Sequence, residues 1–172
     1  MRFFHRYNST IHGDYRRAYL RCGAITGLLL AIYVLVRLLM GSPVPSAAGY
    51  VSDAILLVLV FLFTAYYRNS LPDKKITLKE AMLFGVGTAI IAAMVYGLAL
   101  WAVGLSFPPQ VVLFTQTMMD KEITAQDPQI HYWAAWWAIV AAVETAVLGG
   151  FGAFVASIIF RNEKGRIVNK KQ

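Results

Sequence analysis

Residues 81–105 read AMLFGVGTAIIAAMVYGLALWAVGL, a run without a single charged side chain or proline. As an α-helix it extends for about 37 Å at 1.5 Å per residue, which exceeds the roughly 30 Å hydrocarbon core of a bilayer. A helix in a water-soluble domain keeps a polar face, and this one has none. Three comparable runs flank it: LRCGAITGLLLAIYVLVRLLM (Leu20–Met40), DAILLVLVFLFTAYY (Asp53–Tyr67) and the stretch Trp133–Phe160. The second is the shortest and reaches spanning length only with Gly49–Ser52 added. None of the runs alternates with period two, as barrel strands do. Lipid offers no partner for backbone polar groups, so such segments become helices. The expectation is an all-α polytopic membrane protein, a four-transmembrane-helix bundle with spans at about 20–40, 51–67, 78–105 and 132–160.

The charges suggest an orientation. Of the sixteen lysines and arginines, only Arg37 and Lys121 lie outside three clusters: Arg2 to Arg21 before the first span, Arg68 to Lys79 between the second and third, and Arg161 to Lys171 after the fourth. An even number of spans puts all three clusters on one side, which the positive-inside bias assigns to the cytoplasm. Both termini are then cytoplasmic. Residues 1–18 form a basic lead-in, with a short helix expected from Gly13 onward, and residues 163–172 a basic tail. The net charge of +7 fits contact with anionic headgroups rather than nucleic acid, because no basic patch is interleaved with stacking aromatics. SAAG after the first run resembles a signal-peptide cleavage site. The long polar leader, the interruption at Arg37 and the spanning length of the run argue against cleavage.

The loops carry local signals. GSPVPSAAG (Gly41–Gly49) reads as a short extended outer turn. Thr77 with Glu80 forms a capping box that starts the third helix at Leu78. In the outer segment Ser106–Tyr132, Pro108 and Pro109 stop that helix. PQVVLFTQTMMDKEI then reads as a short amphipathic helix on the membrane surface, its apolar side marked by Val112, Met119 and Ile123 with Phe114 and Met118 nearby. Trp133, Trp136 and Trp137 are candidate anchors at the outer interface, and Tyr66 and Tyr67 at the inner one.

Small residues recur at helix-packing spacing: Gly23 and Gly27 in the first run, Gly85 and Gly97 in the third, Gly149, Gly150 and Ala153 in the fourth. In lipid, helices associate through close backbone approach at such positions. Three ionisable groups remain as a candidate intramembrane polar site: Arg37, Asp53 and Glu144. Asp53 lies at the outer start of the second helix, where a carboxylate suits the dipole, within reach of Arg37 across the hairpin. Glu144 lies eleven residues past Trp133, about 16 Å along the helix and close to mid-membrane. A charge at that depth costs several kcal/mol unless sheltered, so it should face the bundle interior. No second carboxylate is expected at the same depth, which favours a packing role over an ion relay. Thr88, Tyr96 and Thr145 are possible hydrogen-bond partners.

His5, His12 and His131 do not cluster, and the lone Cys22 cannot form an internal disulfide, so neither a metal site nor a disulfide is expected. No nucleophile stands beside a base, no phosphate-binding or dinucleotide motif occurs, and neither an enzyme nor a cofactor is expected. The arrangement as a whole resembles a family of bacterial inner-membrane proteins, domain of unknown function 4199. The likeness lies in the opening RCGAITGLLLAIYVLV, the short outer loop, ITLKEAMLFGVGTAIIAAM introducing the third helix, and the longer outer segment before the last. It spans about residues 18–162, and the lead-in departs from it. The resemblance implies four spans in a bacterial inner membrane and brings no activity. Together these features point to a small accessory or interaction subunit, in contact with lipid and with a membrane-protein partner or a second copy of itself. The alternative is an oligomeric small transporter or channel with Glu144 in the pathway.

Overall fold

The computed structural model describes residues 2–40, 49–71, 76–119 and 122–160, with side chains from residue 15 onward and not for 49 or 117–119. All regular structure among them is helical: α1 (Arg2–Leu39), α2 (Gly49–Ser70), α3 (Leu78–Ser106), α4 (Pro108–Met119) and α5 (Ile130–Phe160). The outer turn at 41–48 and the tail at 163–172 lie outside the described residues. Within the helices, Tyr15–Leu39, Tyr50–Ser70, Leu78–Ser106 and Ile130–Phe160 are long and apolar enough to cross a membrane.

Helix α3 begins where local chemistry dictates. The Glu80 amide donates to Thr77 Oγ1 at 3.2 Å, and the Thr77 amide donates to Glu80 Oε2 at 3.0 Å, so two otherwise orphaned amides are satisfied. Its far end closes with the Phe107 amide donating to Val103 O at 2.8 Å. Pro108 and Pro109 cannot extend that ladder, but proline suits a first helical turn, and α4 starts on them directly. Helix α1 differs from expectation. The lead-in is not a separate segment: one helix of 38 residues runs from Arg2 through the span. No proline interrupts the lead-in, and Gly13 alone costs a helix only about 1 kcal/mol.

Helix α3 lies between α1 and α5, whose backbones stay apart; α2 packs chiefly on α5 and more lightly on α1 and α3, and α4 rests on α5 and α3. Glycine sets these distances. A Cβ on Gly23 would lie 2.7 Å from the Thr88 carbonyl oxygen, and one on Gly27 2.8 Å from that of Ala92, so α1 meets the backbone of α3. On the other side of α3, a Cβ on Gly85 would come within 2.5 Å of the Ala153 Cβ, one on Gly149 within 2.6 Å of the Ala89 Cβ, and one on Gly97 within 3.0 Å of the Ala142 Cβ. A Cβ on Gly152 would meet Leu57 of α2 at 2.7 Å, whereas one on Gly150 would find nothing within 4 Å. Lipid is as apolar as leucine, so this packing by dispersion holds the helices together where water exclusion cannot.

Buried hydroxyls are satisfied within their own helices. Thr26, Thr64, Thr115 and Thr145 donate to the carbonyl four residues back at 2.7–2.9 Å, which removes a polar group from the apolar interior. Thr88 Oγ1 is buried without such a bond.

Aromatic clusters close both ends. At the end of the bundle opposite α4, Tyr67 stacks on Phe84 with centroids 4.3 Å apart and Tyr15 meets both rings edge-on. At the α4 end, Phe114 packs 6.0 Å from Trp137, over Val111 and Ala134. Of the expected interface anchors, Trp137 is nearly buried and Tyr67 half-buried within these clusters. Tyr66 and Trp136 remain exposed, and Trp133 is half-buried against Tyr132. The side of α4 buried against the bundle carries Val111, Phe114 and Thr115, spaced for one helical face, while the side chains of Met118 and Met119 lie outside the described residues. Ile123 is buried and lies beyond the end of α4 rather than on it.

Gly27→Val should force α1 away from α3 and lower stability by about 1–3 kcal/mol, measured by thermal unfolding in detergent. Gly150→Ala, where space is open, should leave stability unchanged or raise it slightly.

Candidate functional site

The four spans converge on one small cavity. Helix α2 contributes Ser52, Asp53 and Leu56, and α5 contributes Ala141, Glu144 and Thr145; Leu30 of α1 and Tyr96 of α3 complete the lining. The free volume is about 40 Å³, room for roughly three water molecules and far below the few hundred Å³ of an organic-ligand pocket. The occupant this shape accepts is water or a small ion.

The stagger of the helices explains how two carboxylates meet here. Leu56 and Leu57 of α2 lie beside Gly149 and Gly152 of α5. Helix α2 thus begins only about 10 Å from that level, whereas α5 begins almost 30 Å from it. The first turns of α2 therefore lie deep in the bundle, and they carry Asp53 to the depth of Glu144. The two carboxylates act on each other electrostatically. This corrects the expectation that Glu144 has no companion at its depth: distance from a loop does not measure depth when one helix starts late.

Glu144 also stands at a different orientation from the one expected. It lies at the edge of the packed face of α5, lining the cavity yet exposed on the lone chain. Its neighbour Thr145 is buried and spends its hydroxyl proton on Ala141 O. Tyr96 is also deeply enclosed, 8% exposed. Its hydroxyl makes no hydrogen bond with any described residue and senses Asp53, Glu144, Arg37 and Tyr33.

Arg37 does not line the cavity. It is buried further along α1, with its guanidinium carbon 5.8 Å from the centre of the Tyr33 ring, a cation–π distance, and its charge acts on Tyr96. Below the cavity the bundle is sealed: Val60, Thr64, Ala89 and Ala92 are fully buried. Among the described residues no trio of His, Cys, Asp or Glu is placed to hold a metal ion.

Four apolar helices converging on a polar centre define a multi-pass integral membrane protein. The chain belongs to the family described as protein of unknown function DUF4199, which matches residues 21–162. No curated protein and no solved structure matches it.

If Asp53 and Glu144 share one site, neutralising them should be non-additive. A cycle of Asp53→Asn, Glu144→Gln and the double variant, followed by thermal unfolding in detergent, should show a coupling of about 0.5–3 kcal/mol. Additive effects would separate the two groups.

Proposed function

We propose that this protein is a small transport-type protein of a bacterial cytoplasmic membrane, working as an oligomer or beside a membrane partner, with Asp53 and Glu144 in the path of a small ion. The observation that carries the reading is the convergence of two carboxylates from different spans on a water-sized cavity. Charged side chains at bilayer depth are costly and mark ion or proton pathways far more often than they serve packing. The reading makes the protein a non-enzyme, since a cavity of about 40 Å³ has no room for an organic substrate. Arg16, Arg17, Arg21, Arg68 and Lys79 gather at the end opposite α4, which supports a cytoplasmic assignment for that end and for both termini. Helix α4 then belongs to the outer surface.

The second reading is an accessory subunit of a larger membrane assembly. The exposure of Glu144, on a face continued by the exposed Val140, Val143, Val147 and Phe151, favours it. A partner covering that face would shelter the carboxylate from lipid.

Purified protein reconstituted into vesicles should dissipate a proton or sodium gradient, and Glu144→Gln should reduce the flux to that of empty vesicles. Absence of flux under every imposed gradient, together with a stable second protein co-purifying in mild detergent, would replace the transport reading with the accessory one.

A further inference from the structure

We propose that Asp53, Glu144 and the Tyr96 hydroxyl form a binding site for a single monovalent cation, the proton included, reached from the α4 end of the bundle. The inference rests on the transport reading and gives its site a ligand, a stoichiometry and a direction of access.

The ligand class follows from charge and oxygen count. Two facing carboxylates in a medium of low dielectric repel each other, and a positive charge placed between them relieves that repulsion. The free volume of about 40 Å³ holds one small ion with at most a little water, which sets the stoichiometry at one. The titratable and charged side chains facing the site are Tyr33 and Arg37 from α1, Asp53 from α2, Tyr96 from α3 and Glu144 from α5. A divalent ion fits poorly. Calcium takes six to eight oxygens and magnesium a rigid octahedron, whereas this cavity offers two carboxylates, a few hydroxyls and about 40 Å³.

Tyr96 supplies the independent sign of a ligand. Its side chain is more than nine-tenths buried, lines the cavity and makes no hydrogen bond with any described residue. The four buried threonines described above spend their hydroxyls on their own helices, whereas Tyr96 lies at the wall of the cavity. A phenolic oxygen beside two carboxylates can accept from a hydronium or coordinate a cation.

Access follows from the packing. Toward the end opposite α4, Val60, Thr64, Ala89 and Ala92 fill the space without remaining exposure. The closed side leaves the α4 end as the direction of approach.

The test uses the full chain in vesicles with Cys22→Ala, which removes the one native thiol. Ser52→Cys places a thiol in the cavity, and Ala141→Cys does so from α5 should the first variant not assemble. Ser106→Cys and Ser70→Cys mark the α4 end and the opposite end. A membrane-impermeant thiol reagent should label the cavity cysteine from the same side as Ser106→Cys. Sodium, potassium or lithium, or a lowered pH, should slow that labelling about tenfold at ten times the dissociation constant, relative to Ser106→Cys under the same conditions. Protection by a metal cation at fixed pH identifies that ion, and protection by acid alone identifies the proton. Asp53→Asn with Glu144→Gln should abolish the protection.

Labelling from the Ser70 side, stronger protection by calcium or magnesium, or no protection by any cation would each overturn the proposal. Protection without flux leaves the site standing and removes the transport reading. Flux without protection does the reverse.

Discussion

The bundle depends on the backbone-to-backbone approach of α1 to α3. At Gly23 and Gly27 the absence of a side chain lets one helix rest on the carbonyl oxygens of the other, and a single added methyl would overlap Thr88 or Ala92. On its opposite flank, α3 meets α5 at Gly85, Gly97 and, across from Ala89, Gly149. One helix therefore has closely fitted neighbours on two sides. This positions the backbones of α1 and α5 on either side of α3, and α2 fills only part of the space that remains. The cavity is the remainder of that geometry, so its polar lining is held by contacts that are themselves entirely apolar.

That separation of roles has an energetic logic. The charged groups do not hold the helices together; dispersion contacts between small residues do. The carboxylates are thereby kept beside each other at a cost that the packing offsets, an arrangement typical of sites whose groups are placed for a ligand rather than for stability. Tyr96 fits the same pattern, since it is the one side chain at this level that combines deep burial with a hydroxyl left for something other than its own helix.

Much of the architecture was legible in the residues. An uncharged run such as Ala81–Leu105 has only one way to satisfy its backbone in lipid, and Thr77 with Glu80 writes the start of α3 into four consecutive positions. The helical continuity of the lead-in was not legible, because basic and aromatic residues without an apolar period give no signal that distinguishes helix from coil. Nor was the pairing of carboxylates. Asp53 was placed by its distance from a loop, and stagger between helices is a tertiary property. The shortness of the apolar run Asp53–Tyr67 was the available signal, since a span that starts late carries its first polar residues inward. The inward turn of Tyr67 and Trp137 was hidden for a related reason: an aromatic near a span end suits an interface and a packed end equally well, and only the neighbours decide.

Helix α1 is 38 residues long without a break, about 57 Å at the usual rise and nearly twice the thickness of the hydrocarbon it crosses. The same rod carries Leu30 at the wall of the cavity and Arg37 beyond it. The segment that precedes the span and the wall of the cavity therefore belong to one unbroken helix, so the residues ahead of the span share an axis with the polar centre.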